Sequence, residues 1–174
     1  MSDATLGPSA YIVLGLLAQY GPATSYDLKR WVDDSIGYFW SFPRSQLYAE
    51  PQRLSALGLL SDAQEQDGRR KRTYTITDAG RRALSAWLAA PAGPVELRDP
   101  GLLKLFFIGV APGGQRALAA EQLALHRARL AEYEALAANL CTDVTQQPLG
   151  MGLLYERASL AFWSTLLDGA PQDQ

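Results

Sequence analysis

The sequence predicts a mainly α-helical chain in two parts, and three observations lead there. Apolar residues recur at helical spacing before residue 58 and again after residue 95. Between these regions a short stretch changes to alternation, the pattern of paired strands. The Pro/Gly-rich stretch Ala89-Ala90-Pro91-Ala92-Gly93-Pro94 then divides segment 8–90 from segment 95–168. The 174 residues are 48% hydrophobic and 20% charged, enough apolar material to bury a real core.

Pro8–Tyr20 carries apolar residues at 12, 13, 14, 16 and 17 and is stopped by Gly21-Pro22, so it predicts a first, largely buried helix. Thr24-Ser25-Tyr26-Asp27 starts a second helix. Thr24 caps it, and Asp27 three residues later makes a capping-box-like pair. Leu28, Trp31 and Val32 form its apolar stripe, and it ends near Ser35-Ile36-Gly37. Ser41-Phe42-Pro43 opens a third helix, with Leu47, Leu54 and Leu57 on one face and Gly58 closing it. Pro51 removes the bond to the Leu47 carbonyl and should kink this helix. Residues 59–63 and 71–77 read as two strands joined by a polar turn containing Asp67-Gly68. Thr77 then caps a fourth helix whose apolar face is Leu84, Trp87 and Leu88.

Three helices followed by a hairpin with a basic tip predict an N-terminal winged helix-turn-helix: three to four helices plus a two-stranded β-wing. In that arrangement the third helix enters the major groove and the wing meets an adjacent stretch of backbone. The second part reads as all-helical. Residues 100–110 are short and very apolar, and 115–140 form one long helix. That helix has a near-heptad seam at 123, 130, 133, 137 and 140 and a second stripe at 118, 125 and 136, which implies two packing partners. Residues 149–167 are apolar nearly all round. So much apolar surface on three helices predicts a dimerisation domain, and two-fold homodimers are the commonest oligomers.

Composition removes many function classes. One histidine and one cysteine, His126 and Cys141, leave no His-pair or Cys/His metal site, and no metal or cofactor is expected. Gly150-Met151-Gly152 lacks the third glycine and the preceding strand of a dinucleotide fingerprint, and no phosphate-binding loop occurs. No nucleophile elbow supports a triad built on His126. The chain is therefore not expected to be an enzyme. With no secretory leader pattern, no apolar run long enough to span a bilayer and no disulfide partner for Cys141, it is expected in the cytoplasm and off the membrane.

Charge is uneven. Net charge is −2, yet residues 44–82 hold eight basic and five acidic side chains, four of the basic ones consecutive: Arg69-Arg70-Lys71-Arg72. A basic cluster in an acidic protein points to a local anion-binding face. A solvated turn is the competing explanation.

Ser25-Tyr26-Asp27-Leu28, Ser45-Gln46-Leu47-Tyr48, Arg53-Leu54, Leu57-Gly58-Leu59-Leu60 and residues 72–80 together resemble the PadR family of bacterial transcriptional regulators. Leu97-Arg98-Asp99 through Leu105-Phe106-Phe107 resembles the start of the helical C-terminal domain of one PadR subgroup. Pro51 departs from the aliphatic residue common at that position. The resemblance implies a homodimer on a pseudo-palindromic operator in double-stranded DNA, usually repressing, and released by a small, often aromatic effector.

Candidate sites follow from the pattern and the resemblance together. Gln46 can read adenine bidentately, and Arg44 and Ser45 sit where a helix N-terminus meets phosphate. The alternative for Gln46 and Arg44 is an ordinary solvated face. Tyr26 and Tyr48 either reach the DNA backbone or pack. Arg69, Arg70, Lys71 and Arg72 would clamp the backbone from the wing, with Tyr74 on the same strand as a further candidate. Leu123, His126, Leu130, Tyr133 and Leu140 are the dimerisation candidates. Trp40, Phe106, Tyr155, Phe162 and Trp163 are candidate linings of an effector pocket, or core. Arg157 either pairs with an acidic effector or with a glutamate. Cys141 is expected to be an inert thiol. The rival readings are a winged-helix protein–protein interaction module that does not bind DNA, and a small enzyme on the helical half.

Overall fold

The computed structural model describes residues 6–41, 43–64, 71–111, 113–139 and 147–169, with the side chain of Asn139 excepted. The chain divides into two compact units, Met1–Pro94 and Val95–Gln174.

In the first unit, helix α1 spans Pro8–Tyr20, with Pro8 in the first turn, where its missing N–H costs nothing. Gly21, at φ 89°, ends it, and its N–H donates to the Leu17 carbonyl. Ala10, Val13, Leu14, Leu16 and Leu17 are buried, so α1 is the central helix of this unit. Helix α2 spans Ser25–Asp33 and carries the expected capping box. The Asp27 N–H donates to Thr24 Oγ1 at 3.3 Å, and the Thr24 N–H donates to Asp27 Oδ2 at 3.1 Å. A 3₁₀ turn, Ile36–Tyr38, follows.

Helix α3 spans Gln46–Ala56, starting later than the Ser41-Phe42-Pro43 opening implied. The Gln46, Leu47 and Tyr48 N–H groups donate to Pro43, Arg44 and Ser45, an i→i+3 pattern that delays the helix. The helix runs through Pro51 without a break. Leu47, Pro51 and Leu54 are all fully buried on one face. The proline ring thus fills the core position one turn after Leu47, and its burial offsets the lost backbone bond. Gly58, at φ 72°, closes the helix in a Schellman motif. Its N–H donates to Ser55, and that of Leu59 to Leu54.

Strands β2 (Leu60–Gln64) and β3 (Arg72–Ile76) pair antiparallel, from Leu60↔Ile76 to Gln64↔Arg72. A short strand that the sequence did not announce, β1 (Ala23–Thr24), pairs with β3 on its other side, giving the order β1-β3-β2. Leu60, Tyr74 and Ile76 point into the core. Helix α4, Asp78–Ala89, is capped by Thr77, whose Oγ1 accepts from the Gly80 N–H at 3.1 Å and donates to the Gly58 carbonyl at 2.8 Å. Gly80 is required here: a Cβ would lie 2.2 Å from the Leu59 carbonyl oxygen. Of the predicted apolar face, Leu84 packs on the core and Trp87 stacks on Tyr11 at 4.5 Å, but Leu88 is exposed.

In the second unit, helix α5 spans Pro100–Phe106, shorter than predicted, and a 3₁₀ turn, Ile108–Val110, completes that segment. Asp99 caps α5 by accepting from the Gly101 and Leu102 N–H groups. Helices α6 (Gly114–Asn139) and α7 (Gln147–Asp168) pack along each other. Their core is Leu118, Ala119, Leu123 and Trp163. Farther along, Gly152 lets α7 approach the Tyr133 ring, where a Cβ would come within 2.8 Å. No helix among the described residues is long and apolar enough to cross a membrane, and no group of metal-ligating side chains occurs among them.

Candidate nucleic-acid interface

The helix-turn-helix leaves one polar surface around the start of α3. Arg44, Ser45 and Tyr48 are exposed and Gln46 half-buried, while Leu47 turns inward to the core. Helical spacing forces this division: Leu47, Pro51 and Leu54 lie on the inner face, so their sequence neighbours face out. Tyr26, at the start of α2, is 69% exposed. On the wing, Lys71 and Arg72 are exposed; Arg69 and Arg70 lie outside the described residues. Tyr74 is a correction. It is only 2% exposed, because it alternates with Ile76 on the inward side of β3, so its ring belongs to the core and not to a DNA-facing surface.

Around this surface, carboxylates hold the cations. Arg30 lies 3.6 Å from Asp27 and Lys29 3.0 Å from Asp33, and Arg44 pairs with that same Asp33. Arg53 makes two hydrogen bonds to Glu50, at 2.6 and 3.2 Å, which raise its pKa above the ordinary arginine value. Arg72 lies 3.3 Å from Asp62, which also accepts from the Ser55 hydroxyl and so links the wing to the end of α3. The Thr24 hydroxyl and N–H, with help from Arg30 and Lys71, hold the Asp27 carboxyl below its usual pKa. The i,i+4 spacing of Lys29 and Asp33 and the i,i+3 spacing of Glu50 and Arg53 were visible in the sequence. The Asp33–Arg44 and Asp62–Arg72 pairs join different elements and gave no local signal.

In the second unit, Leu123 and Tyr133 are buried within the chain, and Leu130 is half-buried. His126 Nδ1 lies 2.6 Å from Glu156 Oε2 across the α6–α7 contact. The predicted seam therefore faces α7 of its own chain; Leu140, like Cys141, lies outside the described residues. The apolar side chains left outward include Leu103, Phe106, Val110, Leu125, Met151 and Leu154.

The proposed effector residues are spread out. Trp40 is in the first unit and half-exposed. Trp163 is in the core of the second, edge-on to the partly exposed Phe162 at 5.2 Å. Phe106 is 80% exposed. The Tyr155 hydroxyl lies 3.4 Å from Asp99, with its pKa raised chiefly by burial. Arg157 donates to Glu134 at 3.1 Å, the glutamate alternative. The lining of an open depression on this unit includes Leu103, Lys104, Phe107, Ile108, Leu118 and Glu121. None of the proposed effector residues belongs to that lining.

A unit of four helices with an outward polar edge on its third helix and an antiparallel wing is a winged-helix fold of the DNA-binding class. Comparison with known proteins supplies the family. Residues 13–86 match the transcriptional regulator PadR-like family, and residues 97–168 match the family described as virulence activator alpha C-term. The negative transcriptional regulator PadR of Bacillus subtilis is 31% identical over 128 residues, covering 71% of this chain and 70% of that protein. The crystal structure of Bacillus subtilis PadR in complex with operator DNA is similar at a TM-score of 0.84 and 26% identity, covering 93% of this chain and 98% of the other. The structure of the same protein in complex with p-coumaric acid is similar at 0.75 and 27%, covering 97% and 100%. The chain belongs to the PadR-like family of transcriptional regulators, a family of regulators and not of enzymes.

Proposed function

We propose that this regulator is a cytoplasmic homodimeric repressor that binds a pseudo-palindromic operator in double-stranded DNA and is released by a small aromatic effector. The observation that carries the DNA part is the polar edge at the start of α3, exposed Arg44, Ser45 and Tyr48 with half-buried Gln46, beside a wing bearing Lys71 and Arg72. Arg44 and Ser45 address phosphate, Gln46 a base edge, and the wing cations the neighbouring backbone. The similarity to a protein solved on operator DNA supports this assignment.

The dimer is supported by the second unit, whose Leu103, Phe106, Val110, Met151 and Leu154 are each more than 60% exposed in the single chain. The effector is supported by the relative solved with p-coumaric acid. Such a ligand acts only through unequal affinity for the DNA-competent and DNA-incompetent dimers.

Fluorescence anisotropy on the DNA upstream of the protein's own gene, at low and near-physiological salt and with unrelated competitor, tests the reading. Tight binding that survives competitor supports it, and p-coumaric acid is the first effector to titrate against that complex. Arg44→Ala should weaken binding and flatten the log–log salt slope by roughly 0.9. If binding merely equals that of the competitor and a random-sequence pool also enriches nothing, the winged-helix protein–protein module becomes the better reading.

A further inference from the structure

We propose that Asp33 is a specificity-determining residue of this regulator: it restrains Arg44 and Lys29 so that the mouth of α3 grips DNA weakly unless the helix is seated in a matching groove. The inference rests on the reading of α3 as the DNA-contacting helix. Asp33 is the last residue of α2, and Arg44 lies in the turn that leads into α3. One carboxylate serves two cations, Lys29 at 3.0 Å through Oδ2 and Arg44 through Oδ1. Asp33 Oδ1 is covered by the Arg44 guanidinium paired with it, while the Asp33 side chain as a whole is 30% exposed. The Arg44 side chain is itself 57% exposed, so its remaining donors face outward.

The electrostatics follow directly. The trio Lys29, Asp33 and Arg44 presents one net positive charge where two cations stand. Drawing Arg44 onto a phosphate would leave Lys29 as the remaining partner of Asp33 and set this carboxylate beside a polyanion, a like-charge contact. A loosely seated complex offers nothing to offset that cost. A register-matched complex, with α3 base contacts and the wing engaged together, does. Asp33 thereby lowers binding to random sequence more than binding to the operator. The surrounding pairs Asp27–Arg30, Glu50–Arg53 and Asp62–Arg72 follow the same pattern of cations restrained by carboxylates.

The test uses the full-length dimer, a duplex selected from a random-sequence pool by the wild-type protein, and a shuffled duplex of the same composition. Asp33→Asn keeps the side-chain shape and removes the charge. It should tighten binding to the shuffled duplex about fivefold to tenfold and steepen its log–log salt slope by roughly 0.9, the value of one additional phosphate contact. The selected duplex should gain less, so discrimination falls. Asp33→Glu, which keeps the charge, should restore discrimination. In an Arg44→Ala background, Asp33→Asn should change binding by less than half as much on the logarithmic scale, because Asp33 acts through Arg44. Equal changes on both duplexes, no change on either, or an undiminished effect without Arg44 overturns the proposal. If the wild type discriminates between the duplexes and these variants do not behave as stated, only the role of Asp33 fails. If the wild type enriches no sequence and binds neither duplex, the DNA-binding reading fails and the role of Asp33 with it.

Discussion

The two units bury their apolar residues differently. Among the described residues, the winged-helix unit gathers thirteen buried hydrophobic side chains into one cluster drawn from α1, α2, α3 and all three strands. The helical unit has a buried cluster of four, Leu118, Ala119, Leu123 and Trp163, and leaves Leu103, Phe106, Val110, Met151 and Leu154 outside. The first unit is closed by its own chain: caps, a Schellman turn and a glycine contact fix each junction. The second is two long helices and a short one, and a pair of helices has only one mutual face to bury. The surface proposed to bind DNA is thus carried by a self-sufficient scaffold, and the surface proposed to join two copies by a unit whose apolar residues outnumber its internal partners.

The largest effect should come from the smaller core. Trp163→Ala removes the biggest of its four buried side chains and should cost about 3–5 kcal/mol, enough to unfold the helical unit while the winged helix persists. Thermal melting followed by circular dichroism should then show a low-temperature loss of helix ahead of a second transition. A single unshifted transition would refute the idea of two separately stabilised cores. Phe106→Arg probes the outward face instead. Phe106 is 80% exposed in the chain, so the fold should survive, while the proposed dimer weakens tenfold or more, about 1.4 kcal/mol or above. Sedimentation of wild type and variant over a concentration series reads this directly, and unchanged association would exclude α5 from the interface.

Gly80→Ala tests how tightly the first unit is closed. Its Cβ would meet the Leu59 carbonyl at 2.2 Å, which backbone must relieve, so about 1–3 kcal/mol of stability should be lost in denaturant unfolding. A neutral substitution would show that the β2–α4 junction is looser than described. The smallest effect is the α2 cap. Thr24→Ala should cost about 1 kcal/mol at neutral pH. Because the folded-state carboxyl of Asp27 titrates below its unfolded value of 3.8, its contribution is present above that value. It is lost as pH falls through the lower, folded value. The stability difference between wild type and Thr24→Ala should accordingly shrink on acidification; a constant gap across melts from neutral pH to about pH 3 would separate the cap from the charge.

Legibility differed between the units as well. Thr24 and Asp27 announced the α2 cap, Gly58 the end of α3, and the alternation of residues 72–76 a strand, since each depends on residues within one turn or one ladder. Strand β1 did not show: two residues have no periodicity, and only pairing with β3 makes Ala23-Thr24 a strand. Tyr74 was misassigned for a related reason. Alternation says that one side of β3 is inward, but which side is decided by packing on α1. In the long helix, the apolar seam was legible but its partner was not. Leu123 and Tyr133 face α7 of the same chain, which spacing cannot tell from a second copy.

By itself the sequence determined the order of the four helices and of β2 and β3 in the first unit, the caps at Thr24 and Thr77 and the polar start of α3, because each follows from local spacing and backbone chemistry. Only the tertiary structure decided which polar and charged side chains meet across elements. Asp33 reaches Arg44 across the helix-turn-helix, Asp62 reaches Arg72 across the wing, and Glu156 meets His126 across α6 and α7. Charges along a chain are listed by covalent order, but their energies depend on distance in space.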